Sequence, residues 1–275
     1  MTPALLDTAA AALAELLTFT QPADAVLSAF FRKHPKLGGR DRAFVAESAY
    51  GVIRHLRGLE HVTGGRIPRR LLLAWLARQG GHTLREFDAV ASPNEQEWLK
   101  GIKAARLDDA PATVRLDLPD WLHARLAERE GARLDALMAA LNRPAPLDLR
   151  VSRLSREAAL AQLAADGLEA APTPWSPWGI RLKGKPALNK YPLFLDGVLE
   201  VQDEGSQLLA LLTGARRSEM VCDFCAGAGG KTLALGAMMK NTGRLYAFDV
   251  SEKRLANLKP RLARSQLSNV HPQLL

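Results

Sequence analysis

The residues best suited to chemistry lie between positions 220 and 250. Residues 220–222 form a short apolar run without helical period, and therefore predict a strand. A helix predicted over 233–239 and a second strand over 245–248 complete a βαβ unit that ends at Asp249. Such a unit binds a ligand at the carboxyl end of its first strand. The loop residues predicted to surround that ligand are Cys225, Ala226, Gly227, Ala228, Gly229, Gly230 and Lys231.

The glycines and the acid of this segment suit a cofactor that carries a nucleoside. Without Cβ atoms, Gly227, Gly229 and Gly230 let the backbone turn tightly and approach a ligand closely. Free N–H groups at the start of the following helix favour an anionic group there. Asp249 stands at the tip of the second predicted strand, where a carboxylate can accept hydrogen bonds from two ribose hydroxyls. A tight turn without a ligand is the alternative, but it requires fewer glycines and no acid.

The loop pattern separates three cofactor classes. A P-loop reads G-x-x-x-x-G-K-[ST], and Gly230-Lys231-Thr232 supplies its end, but its first glycine falls on Cys225. A nicotinamide fingerprint reads G-x-G-x-x-G, and Thr232 stands at its third glycine. S-adenosylmethionine sites accept a looser loop and keep the ribose acid. We therefore predict S-adenosylmethionine as the cofactor.

The same segment carries a resemblance to a known family. It reads Asp223-Phe-Cys-Ala-Gly-Ala-Gly-Gly-Lys-Thr232, and it resembles the first motif of the RNA cytosine-5 methyltransferases of the Sun, Fmu and nucleolar-protein type. That motif usually reads D-x-C-A-x-P-G-G-K-T. Ala228 stands in place of its proline, which leaves the loop less rigid. Residues 201–207 resemble the segment before this motif, and residues 249–255 resemble the second motif.

The resemblance implies an S-adenosylmethionine-dependent enzyme that methylates RNA, with ribosomal RNA as the expected substrate. It implies that residues 225–231 line the methionine and adenosyl moiety and that Asp249 holds the ribose. Arg254, in the following helix, is expected to add a contact to the cofactor.

The N-terminal half resembles the RNA-binding domain that many members of this family carry, a domain similar to the antitermination factor NusB. The likeness rests on residues 37–54, where a predicted helix from Asp41 places apolar side chains on one face. Ten Lys and Arg stand against three acids between positions 32 and 70. Such a cluster can neutralise several phosphates; the alternative is a solvated helix face. The predicted RNA contacts are Arg40, Arg42, Arg54 and Arg57.

Composition bounds the remaining possibilities. The chain has 275 residues with 47% hydrophobic composition and a net charge of +8, which favours an acidic partner such as nucleic acid. Two cysteines form no disulfide framework and fit a reducing cytoplasm. No apolar run approaches a membrane span, and the six histidines show no metal-ligand spacing. We expect a cytoplasmic monomer without a metal ion.

The predicted fold class is α plus α/β, in three domains. An all-helical NusB-like domain is expected over 1–141, a small α+β domain over 142–202, and the first half of a Rossmann-like class I methyltransferase domain over 203–275. The predicted helices that bear on this division lie over 68–79, 83–90, 93–104, 119–141 and 155–167, and the strands over 147–151, 179–182, 198–201 and from 269 onward.

Two further features receive structural predictions. Trp175 and Trp178 stand in a proline-rich loop and can stack on bases, but we expect them to pack against their own domain. Cys222 and Cys225 have C-x-x-C spacing, but no second cysteine pair exists, so a zinc or redox role is disfavoured. Cys222 is predicted to lie in the core and Cys225 in the cofactor loop.

The chemistry implied by the resemblance exposes a gap. Carbon 5 of cytosine is a poor nucleophile until a cysteine thiolate adds to carbon 6. The family supplies that cysteine, and a second one, from Pro-Cys and Thr-Cys motifs, and neither dipeptide occurs here. We therefore expect a truncated form that lacks its nucleophile and is inactive alone. A non-catalytic RNA-binding module with a remnant Rossmann scaffold is the alternative, and a nucleotide-dependent ATPase is disfavoured by Cys225. A Pro-Cys motif further downstream would favour the enzyme.

Overall fold

The computed structural model describes residues 1–184 and 186–275, which form two compact units, Met1–Arg143 and Pro144–Leu275. The first unit is helical, and the second contains two β-sheets. The division into three domains stays a prediction. Within the described ranges, no helix is long and apolar enough to cross a membrane.

The first unit is built around a leucine-rich core. Val45, Ala49 and Val52, on the predicted apolar face of its third helix, are all buried, which confirms that face. Gly51 of the same helix lies against the ring of Trp75, where a Cβ atom would come within 2.2 Å of the Trp75 ring carbon Cζ2. The helices are α1 Pro3–Leu16, α2 Ala23–Lys33, α3 Gly39–Arg54, α4 Leu56–Thr63, α5 Pro68–Arg78, α6 Pro93–Ala104, α7 Ala112–Arg115, α8 Asp120–Glu130 and α9 Leu134–Leu141.

Two helix predictions in this unit are wrong. The single helix expected over 119–141 ends at Glu130, because the chain adopts a positive φ of 51° at Gly131 before it resumes at Leu134. The helix expected over 83–90 is a 3₁₀ helix confined to Leu84–Phe87. Periodicity extended both helices across breaks that backbone geometry imposes.

The second unit opens with a four-stranded antiparallel sheet. Its strands are β1 Leu147–Val151, β2 Ala170–Pro172, β3 Gly179–Leu182 and β4 Leu199–Val201, in the order β2-β3-β1-β4. Helix α10, Arg156–Ala165, joins β1 to β2, and the short α11, Pro192–Leu195, lies between β3 and β4. The chain therefore follows a βαββαβ path. Ser155 caps α10 through the N–H of Ala158, as predicted. The core contains Leu149, Ala159, Leu163, Ile180 and Leu199.

The second sheet of this unit has three parallel strands, β5 Met220–Asp223, β6 Arg244–Asp249 and β7 Val270–Leu274, in chain order. Helix α12, Glu204–Leu212, precedes β5. Helix α13, Gly230–Met238, joins β5 to β6, and α14, Glu252–Ser265, joins β6 to β7. Because both crossovers advance in one direction and crossovers are right-handed, α13 and α14 lie on the same face of the sheet. Their packing buries Leu233, Leu245, Ala247 and Leu258.

The opposite face of the parallel sheet carries exposed apolar side chains. Met220 is 72% exposed, Phe224 is 66% exposed, and Cys222 between them is also exposed. Tyr246 and Phe248 stack on this face at 6.2 Å between ring centroids. The prediction that Cys222 lies in the core is therefore wrong, because its side chain points to the face opposite the two crossover helices.

Candidate functional site

The glycine loop lies at the carboxyl ends of β5 and β6. The backbone N–H of Ala226 donates to the carbonyl of Phe248 at 2.8 Å, and the N–H of Gly229 donates to the carbonyl of Ala226 at 2.8 Å. Gly227 and Gly229 have positive φ angles of 56° and 84°, a region that L residues avoid. The two glycines therefore allow the sharp reversal between β5 and α13 that the sequence predicts.

Gly229 is also fixed by packing. A Cβ atom at this position would lie 2.1 Å from Cδ1 of Leu258, which is fully buried in α14. The residue forms the N-cap of α13 without a side-chain hydrogen bond to the helix. No side chain of the N-cap residue accepts hydrogen bonds from the first-turn N–H groups of α13. These N–H groups can therefore bind an anionic group.

Asp249 joins the glycine loop to the start of α14. Its carboxylate is buried, with 4% of the residue exposed. Oδ2 accepts a hydrogen bond from the N–H of Gly227 at 2.8 Å, and Oδ1 accepts one from the N–H of Ser251 at 2.8 Å. Each carboxylate oxygen retains a further lone pair for a ligand hydroxyl. Sequence reasoning gave Asp249 a ligand role alone and missed its role in holding the loop.

A second tie connects the end of β5 to α13. The hydroxyl of Thr232, which is fully buried, donates to Oδ2 of Asp223 at 2.7 Å. Both residues belong to the motif quoted from the sequence, where they received no separate role. An acid and a threonine on either side of a glycine loop were the sequence pattern from which this hydrogen bond could have been predicted.

Two side chains donate hydrogen bonds to carbonyl groups of the loop: Gln202, directly after β4, and Arg261 of α14. Arg261 donates from Nη1 to the carbonyl of Ala228 at 2.7 Å and from Nη2 to Oε2 of Glu200 at 2.9 Å. Gln202 donates from Nε2 to the carbonyl of Gly230 at 3.1 Å. Ala228 stands where the family motif has a proline, whose ring would stiffen the backbone. The bond from Arg261 restrains the backbone at this position instead. Sequence reasoning missed all three of these side chains.

The carboxylate of Glu200 stands at the centre of a buried ion cluster. Its residue is 3% exposed, and its second oxygen accepts a bond from Nη2 of Arg264 at 2.6 Å. Arg150 lies in the same cluster and donates from Nε to Oε1 of Gln202 at 2.8 Å. Burial lowers the pKa of Arg150 to about 10, against the opposing effect of Glu200, so its charge persists at neutral pH. The cluster therefore connects β4 of the antiparallel sheet to α14.

The predicted site residues differ in exposure. Ala226, Gly229 and Asp249 are buried, whereas Cys225, Lys231 and Arg254 are exposed. Arg254 lies in the first turn of α14, where its backbone N–H reaches the hydroxyl of Ser251. The structure thus brings the loop and Asp249 together through the bond from the N–H of Gly227. Arg254 follows Asp249 by five residues in the sequence.

Two cavities of about 430 and 390 Å³ adjoin the opposite end of α13. Both are lined by Arg150, Arg153 and Lys240. Lys240 lies two residues beyond Met238, the last residue of α13. No residue of the glycine loop lines either cavity, so both are separate from that loop. In the part of the chain that the structure describes, no group of three or more His, Cys, Asp or Glu side chains forms a metal site.

Two family models match the chain. Residues 118–189 match the ferredoxin-like domain of RsmF/B-like methyltransferases, and residues 210–272 match the 16S rRNA methyltransferase RsmB/F. Ribosomal RNA small subunit methyltransferase B of Sodalis glossinidius is 30% identical, over 93% of this chain and 65% of its own length. Over both matched segments the chain is similar to the RsmB/F methyltransferases.

Further relatives carry the same name. Ribosomal RNA small subunit methyltransferase B of Pseudomonas putida is 30% identical to this chain, over 84% of the chain and 60% of the relative. The probable enzyme of the same name from Synechocystis is 28% identical, over 90% of this chain and 64% of its own length. The chain therefore spans less than two thirds of the length of these relatives.

Solved structures share the fold. The match to PH0851 covers 100% of this chain and 70% of PH0851, with a TM-score of 0.72 at 20% identity. A methyltransferase homolog from Pyrococcus horikoshii has a TM-score of 0.54 at 29% identity, over 58% of this chain and 54% of its own. NSun6 from the same organism, solved with SFG, has a TM-score of 0.53 at 17% identity, over 57% and 65%. At 20% and 17% identity the likeness shows the fold alone.

The four arginines predicted to contact RNA lie on α3 and α4 and differ in their surroundings. Arg40 is exposed, and Arg54 is half-buried in the last turn of α3. Arg42 donates from Nε to the carbonyl of Leu37 at 3.0 Å. Arg57 donates from Nη1 to the carbonyl of Leu118 at 2.5 Å and to Oδ1 of Asp120 at 2.8 Å. Arg42 and Arg57 therefore also stabilise the first unit.

One prediction about aromatic residues is wrong in part. Both tryptophans of the proline-rich loop were expected to pack against their own domain. Trp178 is half-buried in the second unit, but Trp175 is 74% exposed. The indole of Trp175 therefore remains outside the packed core.

Proposed function

We propose that this chain binds S-adenosylmethionine and RNA for methylation of ribosomal RNA at carbon 5 of a cytosine, as a cytoplasmic monomer. The observation that carries the proposal is the buried carboxylate of Asp249, which holds Gly227 at the carboxyl ends of two parallel strands. That segment lies within the residues matched by the 16S rRNA methyltransferase model. The curated relatives named as ribosomal RNA methyltransferases support the substrate class.

The donor and acceptor groups of the loop fit this cofactor. The uncapped first turn of α13 offers N–H groups to the carboxylate of the methionine moiety. Asp249 offers its remaining lone pairs to the ribose hydroxyls. The exposed Lys231 and Arg254 lie in the first turns of α13 and α14, where each can add a polar contact. When bound, S-adenosylmethionine supplies a methyl group on a sulfonium centre. NSun6 of Pyrococcus horikoshii, which shares the fold, was solved with SFG, an analogue of this cofactor.

The cofactor assignment predicts a large effect of one carboxylate. Replacing Asp249 with alanine is expected to weaken S-adenosylmethionine binding by about 1.5–3 kcal/mol, or roughly 10- to 150-fold, because bonds to a charged acceptor are lost and Gly227 is released. Isothermal calorimetry on the 275-residue protein measures this change. Asp166→Ala is the matched control, since Asp166 is an exposed carboxylate of the same unit that bonds Tyr191. Binding of ATP or NAD instead, or equal affinity in the Asp249 variant, would contradict the assignment.

The RNA assignment predicts salt-dependent binding through α3. Replacing Arg40 and Arg54 together with alanine is expected to lower the slope of log affinity against log salt by about 1.4, if each contacts one phosphate of a single strand. Fluorescence anisotropy with ribosomal RNA fragments measures the slope. Arg106→Ala with Arg129→Ala is the control, because it removes the same charge from exposed side chains of the same unit. Equal slopes in both double variants would mean that the basic cluster does not contact RNA and is only a solvated helix face.

Arg42 and Arg57 need separate variants in this experiment. Both donate to carbonyl groups of the first unit, so their loss changes folding as well as charge. We propose that they contact RNA with the same guanidinium groups, and thermal denaturation of each single variant separates the two effects.

A non-catalytic RNA-binding module is the second candidate. It is favoured by one observation, that both cysteines of the chain belong to β5 and its loop and that neither a Pro-Cys nor a Thr-Cys dipeptide occurs. RNA binding without any S-adenosylmethionine binding would support this candidate over the first.

A further inference from the structure

We propose that Trp175 is a stacking platform for an unpaired base of the RNA. This inference rests on the proposed function for the identity of the partner. Its starting point is the 74% exposure of the Trp175 residue. An indole is the largest apolar side chain, and an isolated one at this exposure in an ordered loop is a recurrent feature of single-strand binding surfaces.

The loop that carries Trp175 is anchored rather than mobile. Oε1 of Glu204 accepts the backbone N–H of Trp175 at 2.6 Å and that of Ser176 at 2.8 Å. The hydroxyl of Ser176 donates to Oε1 of Gln207 at 2.6 Å. Glu204, Ser176 and Gln207 are all buried. Burial raises the pKa of Glu204, but the N–H groups of Ser176 and Trp175 outweigh it and hold that pKa below its ordinary value.

This anchoring has a consequence for binding. A loop that is already ordered loses little further entropy when its side chain contacts a ligand, so the stacking free energy is not consumed by ordering the loop. The fold therefore holds the backbone of Trp175 through three buried polar groups while leaving its ring exposed, whereas Trp178 of the same loop is half-buried.

The anchor connects the loop to the packed elements of the second unit. Glu204 is the first residue of α12, and Gln202, two residues earlier, donates to the carbonyl of Gly230 at the start of α13. Trp178 of the same loop lines the cavity beside Met238 and Lys240, at the other end of α13. The backbone of Trp175 is therefore held by the ordered frame of this unit.

The overall charge of the chain favours a nucleic acid over an apolar protein partner. The chain carries a net charge of +8. Arg156 donates from Nη1 to the carbonyl of Ser176 at 3.1 Å, and its Nε lies 3.6 Å from Oε1 of Glu157, so a cation and an anion both adjoin the loop. A basic chain attracts the phosphates that flank every stacked base.

The test is fluorescence anisotropy of the 275-residue protein with a labelled single-stranded RNA of about 12 nucleotides and with the same sequence as a duplex. Trp175→Ala is expected to weaken single-strand binding roughly 5- to 150-fold, the effect of one lost base stack. Trp175→Phe is expected to recover most of the affinity. Duplex binding and the salt slope are expected to stay unchanged, because stacking neutralises no phosphate.

Trp121→Ala is the matched control, because Trp121 is 65% exposed but lies on α8 of the first unit. Equal losses in the Trp121 and Trp175 variants, equal losses on single strand and duplex, or unchanged affinity of Trp175→Ala would overturn the proposal. Altered self-association of Trp175→Ala in analytical ultracentrifugation with unchanged RNA affinity would assign the ring to a protein contact instead. If Trp175→Ala weakens single-strand binding but the unchanged protein binds no S-adenosylmethionine, the stacking proposal stands and the proposed enzyme is overturned. The failures of the two proposals are therefore distinguishable.

Discussion

The 275-residue polypeptide is expected to transfer no methyl group from S-adenosylmethionine to RNA. Methylation at carbon 5 of cytosine requires a thiolate that adds to carbon 6, and losing a covalent nucleophile commonly lowers the rate by several orders of magnitude. Cys222 lies within β5, and Cys225 follows directly after it in the glycine loop. Neither stands in the Pro-Cys or Thr-Cys setting that the family resemblance implies for the nucleophile.

Transfer of labelled methyl groups to unmodified ribosomal RNA measures this absence. The Pseudomonas putida relative, which extends beyond the matched region, serves as the positive control for the RNA and the assay. Both cysteines are exposed, so each is tested with its own variant. Turnover by the polypeptide that disappears in Cys225→Ala but persists in Cys222→Ala would show that Cys225 is the nucleophile and that its assignment to the cofactor loop is wrong.

Replacing Gly229 with alanine is expected to lower the free energy of unfolding of the second unit by about 2–5 kcal/mol. About 1–2 kcal/mol comes from placing an L residue at a left-handed φ, and the rest comes from overpacking. The residue has a φ of +84°, and a Cβ atom would overlap Cδ1 of Leu258 at 2.1 Å. Hydrogen exchange of amides in β5 and β6, measured by mass spectrometry, reports the stability of this unit separately from the first.

Gly214→Ala is the matched control for Gly229→Ala. Gly214 also has a positive φ, +63°, but nothing lies within 4 Å of its would-be Cβ atom. It is therefore expected to cost about 1–2 kcal/mol, the conformational term alone. Equal destabilisation by the two substitutions would mean that Leu258 moves aside freely and that the loop is not held by packing. Weaker S-adenosylmethionine binding in Gly229→Ala alone would link the packing of α14 to the cofactor site.

Local pattern sufficed for much of the second unit. Alternating apolar residues predicted β1 over 147–151, a further strand was predicted over 179–182, and both are confirmed to the residue. The apolar run, three glycines and Asp249 predicted the path of the parallel strands and the turn between them. These features depend on side chains that are a few positions apart, so the local sequence pattern is sufficient to predict them.

Helix ends and short elements were less accessible to sequence reasoning. The break at Gly131 and the short strand β2 depend on a positive φ and on pairing with β3. Neither changes the apolar period enough to be seen in advance. Propensity gives way at such points to backbone geometry and to partners distant in the chain.

The sequence by itself determined the motif and hence the family resemblance, the glycine turn and the acid at the strand tip. The tertiary structure alone decided what holds that site. Arg261 reaches Ala228 across 33 residues and Glu200 across 61, and no local pattern encodes such pairs. It also decided that Cys222 is exposed, because both crossover helices cover the other face, and that Trp175 stays outside the core. Contacts between distant segments carry no periodic signal, so only the folded chain reveals them.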